Sequence, residues 1–306
     1  MDRRMMLQGA LGGLVGAAFA PLAPALALSA PTRTRLNDKV VVISGIPGNV
    51  IALSVGDGLL LVDSGGPSAT DALLAQLRRL PGGGPVRTLF NTHHHVEQTG
   101  GNEVFGKAGA AIFAHAKAKQ WLATQHYNPQ EGRYEPARPK SAWPTQVFYA
   151  NGAMTAGGEH IEYGHLVSAH TEDDCYVYLR DSNVLVVGHV ASPVSDPALD
   201  WFAGGWLGGR LDALTLLYNL ADDKTQIVPA VGPVISRNEI QAEHDMLQMV
   251  YTRMTDDLRK GFSAQDMLEG GVLNGLPRTW TDPRKFVYDA FKGLWGYQDT
   301  IAPNIV

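Results

Sequence analysis

The chain has 306 residues, 45% of them hydrophobic and 18% charged, with 34 Gly, 18 Pro, a single Cys and a formal net charge of -5. That balance excludes a disordered tail, a coiled coil, a collagen-like repeat and a small disulfide-stapled domain, each of which needs a composition absent here. A mildly acidic chain without a long basic run has little with which to neutralise a phosphate backbone, so a small-molecule substrate is expected and a nucleic acid is not.

Arg3 and Arg4 precede an uncharged Gly/Ala/Leu-rich run to Ala20, then Pro21, Pro24 and the small-residue triplet Ala25-Leu26-Ala27. Basic, apolar and small-residue regions in this order are the plan of an export signal over residues 1–27, leaving residues 28–306 as the folded domain. The arginine pair resembles a twin-arginine signal, which implies a periplasmic or otherwise exported protein. The glycines and prolines of this run argue against a membrane anchor, and no other stretch is apolar enough to span a bilayer.

Residues 39–44 and 49–54 are β-branched runs, and the turn Gly56-Asp57-Gly58 leads into Leu59–Val62, so the domain opens on a β-meander. Ser68 stands three residues before Asp71 and is placed to cap a helix whose apolar positions are Leu73, Leu74, Leu77 and Leu80; residues 81–85, Pro-Gly-Gly-Gly-Pro, end it. Val86–Phe90 reads as a buried strand, running into Asn91-Thr92-His93-His94-His95 where a loop begins. Residues 127–145, rich in Pro, Gly and charge, read as an inserted surface loop. A hairpin of 175–179 and 183–187, a helix over 211–220 and a strand at 226–229 follow. The end is helical: Ser236 caps a run to Lys260, Ser263 caps a shorter one, and Asp282-Pro283 starts a third through Phe291. Met246, Met249, Met254, Phe286, Phe291 and Trp295 recur there at helical spacing, as core or as a contact between copies of the chain.

Ten histidines placed at random over the chain would give a run of three in roughly one such chain in a hundred, so His93-His94-His95 asks for a reason. On extended backbone His93 and His95 point to one side and His94 to the other, which makes the outer two a ligand pair and leaves His94 out. Cys175 reads as a buried core residue. His115, His126, His160, His165 and His244 lack a spacing partner and read as structural or exposed. Residues 200–209, with three large aromatics and four glycines, either line the pocket or connect to the next helix.

Thr92-His93-His94-His95-Val96-Glu97-Gln98-Thr99-Gly100-Gly101 resembles the His-x-His-x-Asp-His-x-Gly-Gly signature of the metallo-β-lactamase-fold superfamily. Leu60-Leu61-Val62-Asp63-Ser64-Gly65-Gly66 is similar to that family's first block, and Ser168-Ala169-His170-Thr171 to the block with its third histidine. Val187-Gly188-His189 falls where the family has Gly-Asp, and Pro229-Ala230-Val231-Gly232-Pro233 where it has Pro-Gly-His-Gly-Pro. The resemblance spans residues 38 to 235. It implies an α/β fold, an αββα sandwich of two mixed sheets with outer helices, here carrying a helical C-terminal extension at 235–306.

By the family pattern His93, His95 and His170 form a first metal site, and Asp63 orients it from a strand end. The second site would draw on Glu97, Gln98, His189 and Val231; a Val binds no metal and Gln binds poorly, so one ion is expected rather than two. Three neutral imidazoles with an open corner suit Zn²⁺. With His189 as a fourth ligand the set equally suits iron. Glu97 is placed either to take a proton from metal-bound water or to support a ligand from behind, and Gln98 to hydrogen-bond locally. The implied activity is hydrolysis of an ester, lactone, thioester or lactam by metal-bound hydroxide. The alternatives are a mononuclear iron oxidoreductase acting on sulfur or oxygen compounds and a non-catalytic exported metal-binding accessory protein.

Overall fold

The computed structural model describes residues 30–80, 82–128 and 132–301. The export segment, with its cleavage position, lies outside the described residues. The first strands are β1 (Thr32–Arg35), β2 (Val40–Ser44), β3 (Val50–Ser54) and β4 (Leu59–Val62), followed by helix α1 (Thr70–Leu77) and β5 (Val86–Phe90). Then come α2 (Val96–Thr99), α3 (Asn102–Lys107), β6 (Ala111–His115), α4 (Ala116–Ala123), β7 (His126–Asn128), β8 (Arg133–Glu135) and β9 (Gln146–Phe148). The second half holds β10 (Gly152–Ala156), β11 (Glu159–His165), β12 (Cys175–Leu179), β13 (Val184–Gly188), α5 (Leu207–Leu220) and β14 (Gln226–Pro229). It ends in α6 (Arg237–Arg259), α7 (Ala264–Glu269) and α8 (Pro283–Ile301).

Strands β1 to β6 and β9 form one sheet in the order 1-2-3-4-5-6-9, and β10 to β14 form a second in sequence order. Both sheets are mixed: β1 to β4 pair antiparallel and β4, β5, β6 and β9 parallel, while β13 and β14 make the one parallel pair of the second sheet. The period of two in a strand sorts each side chain to a layer. In β4, Leu60 and Val62 face the second sheet, where they meet Val177, Val184 and Val186, while Leu59 and Leu61 face outward onto Leu73 and Leu77 of α1. In β13, Val184 and Val186 face inward, and Leu185 and Val187 pack with α5, α6 and α8 through Leu214, Leu247 and Phe286. Strands buried on both faces read as unbroken apolar runs, as LLLV and VLVVG do. The result is the expected αββα sandwich with a helical C-terminal extension. Among the described residues no helix is long and apolar enough to cross a membrane.

Several expectations need correction. Ser68 caps nothing: Pro67–Ala69 is itself a turn of 3-10 helix, so α1 starts later and its N-terminal boundary residue, Ala69, has no capping side chain. Ser236 and Ser263, by contrast, both sit in capping boxes, with Glu239 and Asp266. Helix α5 begins at Leu207, four residues earlier than the pattern suggested. The segment 127–145 is more than a loop, because β7 and β8 pair antiparallel within it. Strands β10 and β11 escape notice in the sequence because polar Thr155, Glu159, His160 and Glu162 interrupt their apolar residues.

Candidate metal centre

The site forms where four chain segments leave the sheets at one end of the sandwich. Asp63, directly after β4, has a left-handed backbone (φ 63°) and is 1% exposed. Its carboxylate accepts from the Thr92 N–H at 2.8 Å and the Thr92 hydroxyl at 2.9 Å, tying the end of β4 to the end of β5. The histidine run leaves β5 from that tether. His170 comes from the turn before β12, where the Asp174 carboxylate accepts from the backbone N–H of His170 (2.6 Å) and Thr171 (2.7 Å). His189 follows β13 directly. Nitrogens of His93, His95, His170 and His189, one from each ring, lie within 4.8 Å of one another.

What stands behind each ring decides which nitrogen faces the centre. His170 Nδ1 lies 3.0 Å from the Ala198 carbonyl, which can only accept, so Nδ1 carries the proton and Nε2 is bare. His95 Nε2 lies 3.0 Å from an Asp200 carboxylate oxygen and donates to it, which leaves Nδ1 bare. Thr92 spends its hydroxyl proton on Asp63, so in the 3.1 Å contact with His93 the ring Nδ1–H is the donor. That leaves His93 Nε2, a buried atom with no partner among the described residues. The bare nitrogens of His95 and His170 face each other at 3.2 Å. Two lone pairs repel at that distance unless a cation lies between them. Zinc bonds of 2.0–2.1 Å in a tetrahedron place ligand nitrogens about 3.3 Å apart, so the residues present fit a small divalent ion.

Electrostatics favour the neutral form in three of the four rings. Burial, reinforced by the neighbouring imidazoles, pushes His93 and His170 well below the ordinary histidine pKa. Burial and the charges of His95 and Arg210 push His189 down to about 3. For His95 burial acts the same way, but the hydrogen bond and charge of Asp200 outweigh it and raise the value. Burial raises the Asp63 carboxyl to about 7 despite the two Thr92 hydrogen bonds.

The sequence profile of the Metallo-beta-lactamase superfamily matches residues 43–231, more than half of the chain and all of the segments that bring these histidines together. The chain belongs to that superfamily. A metallo-beta-lactamase from Pontibacter korlensis superposes with a TM-score of 0.60 at 22% identity, over 71% of this chain and 99% of that one. A double mutant of the sec-alkyl sulfatase PisA1 gives 0.65 at 15% identity over 90% of this chain, which spans only 52% of the sulfatase. The DIM-1 metallo-beta-lactamase gives 0.56 at 14% identity, over 71% and 97%. At these identities the likeness is one of fold. Members of the superfamily are typically metal-dependent hydrolases, and in this chain His93, His95, His170 and His189 form a group that could hold a metal ion.

The remaining candidate residues are placed as follows. His94 lies outside the quartet, as expected, but it is not idle: Nδ1 is 2.7 Å from buried Asp173, its ring stacks on Trp121 (4.8 Å, 11°), and with His95 and Asp200 it forms a second group of ligand atoms. Glu97 is exposed on the pocket lining and close enough for its charge to act on His95. Gln98 contradicts its expectation. Its carbonyl accepts from Ser64, but neither side-chain polar atom has a hydrogen-bond partner among the described residues, because the amide is wedged where the backbone of Gly48 and Glu97 closes over it. Val231 is 42% exposed and has no polar atom to offer. His126, expected to be structural or exposed, lines the pocket.

Sequence reading missed three supports. Asp200 holds His95, as described. Arg210 on α5 is fully buried and donates through one guanidinium nitrogen to the carbonyls of His189 and Ala198, both at 3.0 Å, clamping the chain behind two of the four rings. Glu243 on α6 accepts from Arg210 at 2.8 Å and from the Ser192 N–H at 2.9 Å. The C-terminal extension therefore braces the site. The segment 200–209 does both things proposed for it: Asp200 and Phe202 line the pocket, while Gly205 and Gly209 lie so close under the His170 turn that a Cβ at either would collide with the carbonyl of His170 or Ser168.

Proposed function

We propose that the protein is an exported, mononuclear, zinc-dependent hydrolase of a small carbonyl substrate, an ester, lactone, thioester or lactam. The observation that supports it is the set of three imidazoles whose bare nitrogens are fixed from behind and converge beside an open pocket of about 290 Å³, the size of a small acyl group rather than a polymer. A zinc ion held by His93, His95 and His170 would supply a water acidic enough to ionise near pH 7 and a positive charge beside the substrate carbonyl. The protein's own groups do the rest. Asp200, Ala198 and Thr92 keep the three rings in one tautomer. Glu97, on the first turn of α2 and facing the pocket, holds or removes the proton at the attacking oxygen. His189 is the fourth imidazole, and its place in the quartet is the observation that keeps iron as the second reading.

Elemental analysis of the protein from its own host, combined with a hydrolysis panel of the four substrate classes, tests this. About one zinc per chain and a loss of roughly 10²–10⁴ in kcat in Glu97→Gln are expected. Stoichiometric iron with no hydrolysis would replace the reading with the oxidoreductase one. Export is tested separately by the mature N-terminus, expected after Ala27.

A further inference from the structure

The pocket over the histidines is lined by five charged side chains besides the rings, Glu97, Glu135, Asp200, Arg138 and Lys285. Asp200 is bonded to His95, Lys285 to Asp289, and Glu135 accepts from Asn128 at 2.9 Å. Arg138 is different. Its backbone is pinned on both sides, the N–H donating to the Leu122 carbonyl at 2.8 Å and the carbonyl accepting from the Trp143 indole at 2.8 Å, yet its guanidinium has no acceptor among the described residues. Every other half-buried or buried arginine has one: Arg180 has Glu162, Arg210 has Glu243, Arg237 has the Tyr218 carbonyl, Arg253 those of Val272 and Asn274, and Arg278 that of Ser192. The guanidinium of a half-buried arginine, held on a fixed backbone beside a pocket and without an acceptor among the described residues, is a fork awaiting a planar oxyanion. Trp121, Tyr127 and Phe202 line the same pocket, so the space offers apolar walls as well as a cationic anchor.

We propose that the substrate of this site carries a carboxylate remote from its reacting carbonyl, received by Arg138, with an apolar or aromatic body between the two. Which end reacts rests on the hydrolase reading; the anchor itself does not. The test is calorimetric titration of the full chain with phenylacetate and with its uncharged amide, phenylacetamide, before and after dialysis against a chelator. Phenylacetate should bind about tenfold or more tightly than the amide in both states, with the preference shrinking as ionic strength rises. Arg138→Gln should bring the two ligands within about twofold of each other and leave Tm and metal content unchanged, since the guanidinium has no acceptor among the described residues. Arg138→Lys, which keeps the charge and loses the fork, should keep part of the preference, and it decides the matter should the glutamine variant fold poorly. No measurable binding of phenylacetate, equal affinities in the parent protein, a preference that survives Arg138→Gln, or one that vanishes with the metal overturns the proposal. Binding lost in Arg138→Gln with no ester of the panel hydrolysed would sink the hydrolase reading alone. Neutral and carboxylate-bearing esters hydrolysed with equal kcat/KM would sink the anchor alone.

Discussion

His93 and Gln98 are both fully buried, a short turn apart, and each holds a side-chain nitrogen with no hydrogen-bond partner among the described residues. Around His93 three other imidazoles aim at the same point, and each of the two nearest in role has an acceptor fixing its far nitrogen. Around Gln98 nothing converges: both amide atoms are unpaired, and the other position where the family pattern calls for a late histidine is the half-exposed Val231. An unpaired buried polar atom costs about 1–3 kcal/mol wherever it occurs. The difference is that four imidazole nitrogens gathered at one point can recover the cost by taking up one cation, whereas a solitary amide cannot. The histidine run thus has one side built to hold an ion and, at Gln98, a buried polar group with no hydrogen-bond partner among the described residues.

The sharpest way to break that contrast is His170→Ala. Removing one ring from the trio His93, His95 and His170 leaves two of its three nitrogens, so metal content measured by elemental analysis should fall from about one ion per chain to near none. Retention of the ion would mean that His189 or Asp200 takes the vacated place and that the trio is not the essential holder.

The second effect in size concerns the brace. Glu243→Ala strips a buried arginine of its carboxylate, and breaking a buried pair in this way costs about 3–5 kcal/mol. For a domain of this length that is a fall in Tm of roughly 10 °C. The ion should also be lost at a lower chelator concentration, because Arg210 spans the carbonyls behind His189 and His170. A Tm change under about 2 °C would show that α6 only covers the site.

A third test lies outside the quartet, where His115 and His165 stack at 3.8 Å and 12°. Burial, with the charge of His165 adding to it, pushes His115 down from 6.5 to about 4. Between those values the unfolded chain binds a proton that the folded one does not, so stability falls as pH drops through that window, by at most about 3 kcal/mol at its lower end. Denaturant titrations of the parent protein and His115→Asn at several pH values should diverge below pH 6.5, the variant showing the flatter profile. Parallel profiles would place the acid sensitivity elsewhere.

Asp200→Asn is smaller again. The amide keeps the shape but no longer enforces a bare His95 Nδ1, and loss of such a supporting carboxylate lowers metal affinity by about 10–100-fold. Competition with a chromophoric chelator reads it directly. An unchanged affinity would mean that the histidine half needs no support on that side.

How much of this could be read from the sequence follows from which forces are local. The apolar runs LLLV and VLVVG and the strand-to-loop position of the histidine run are local patterns, and they place β4, β13 and the first two rings correctly. His170 and His189 were legible only through a family resemblance, since nothing in their own neighbourhood distinguishes a ligand from a core histidine. Asp200, Arg210 and Glu243 left no such trace: each acts on a group that is not its neighbour in sequence, 105 positions away in the case of Asp200 and His95, 33 in that of Glu243 and Arg210, and 12 and 21 for Arg210 and its two carbonyls. The doubled carboxylate Asp173-Asp174 after His170 was a visible signal that went unused. One of the pair holds the His170 turn and the other backs His94. Ser68 failed for the opposite reason, because a locally good cap was overruled by Pro67 starting a turn of 3-10 helix ahead of it.

Gln98→Met should give the smallest change, and its sign carries the information. Methionine nearly matches the volume and flexibility of glutamine but has no strong donor or acceptor. If the amide bonds nothing, replacing it removes two desolvated polar atoms at little packing cost, and Tm should stay level or rise by a few degrees, about 1 kcal/mol. If instead the amide serves the pocket, by holding an ordered water or the edge of a substrate, Tm should fall or KM should rise while metal content is unchanged. The first result leaves Gln98 as unlike His93 as it looks. The second would mean that the half without converging ligands has kept its polarity for a purpose, and that the pocket extends beneath Gly48 toward Gln98.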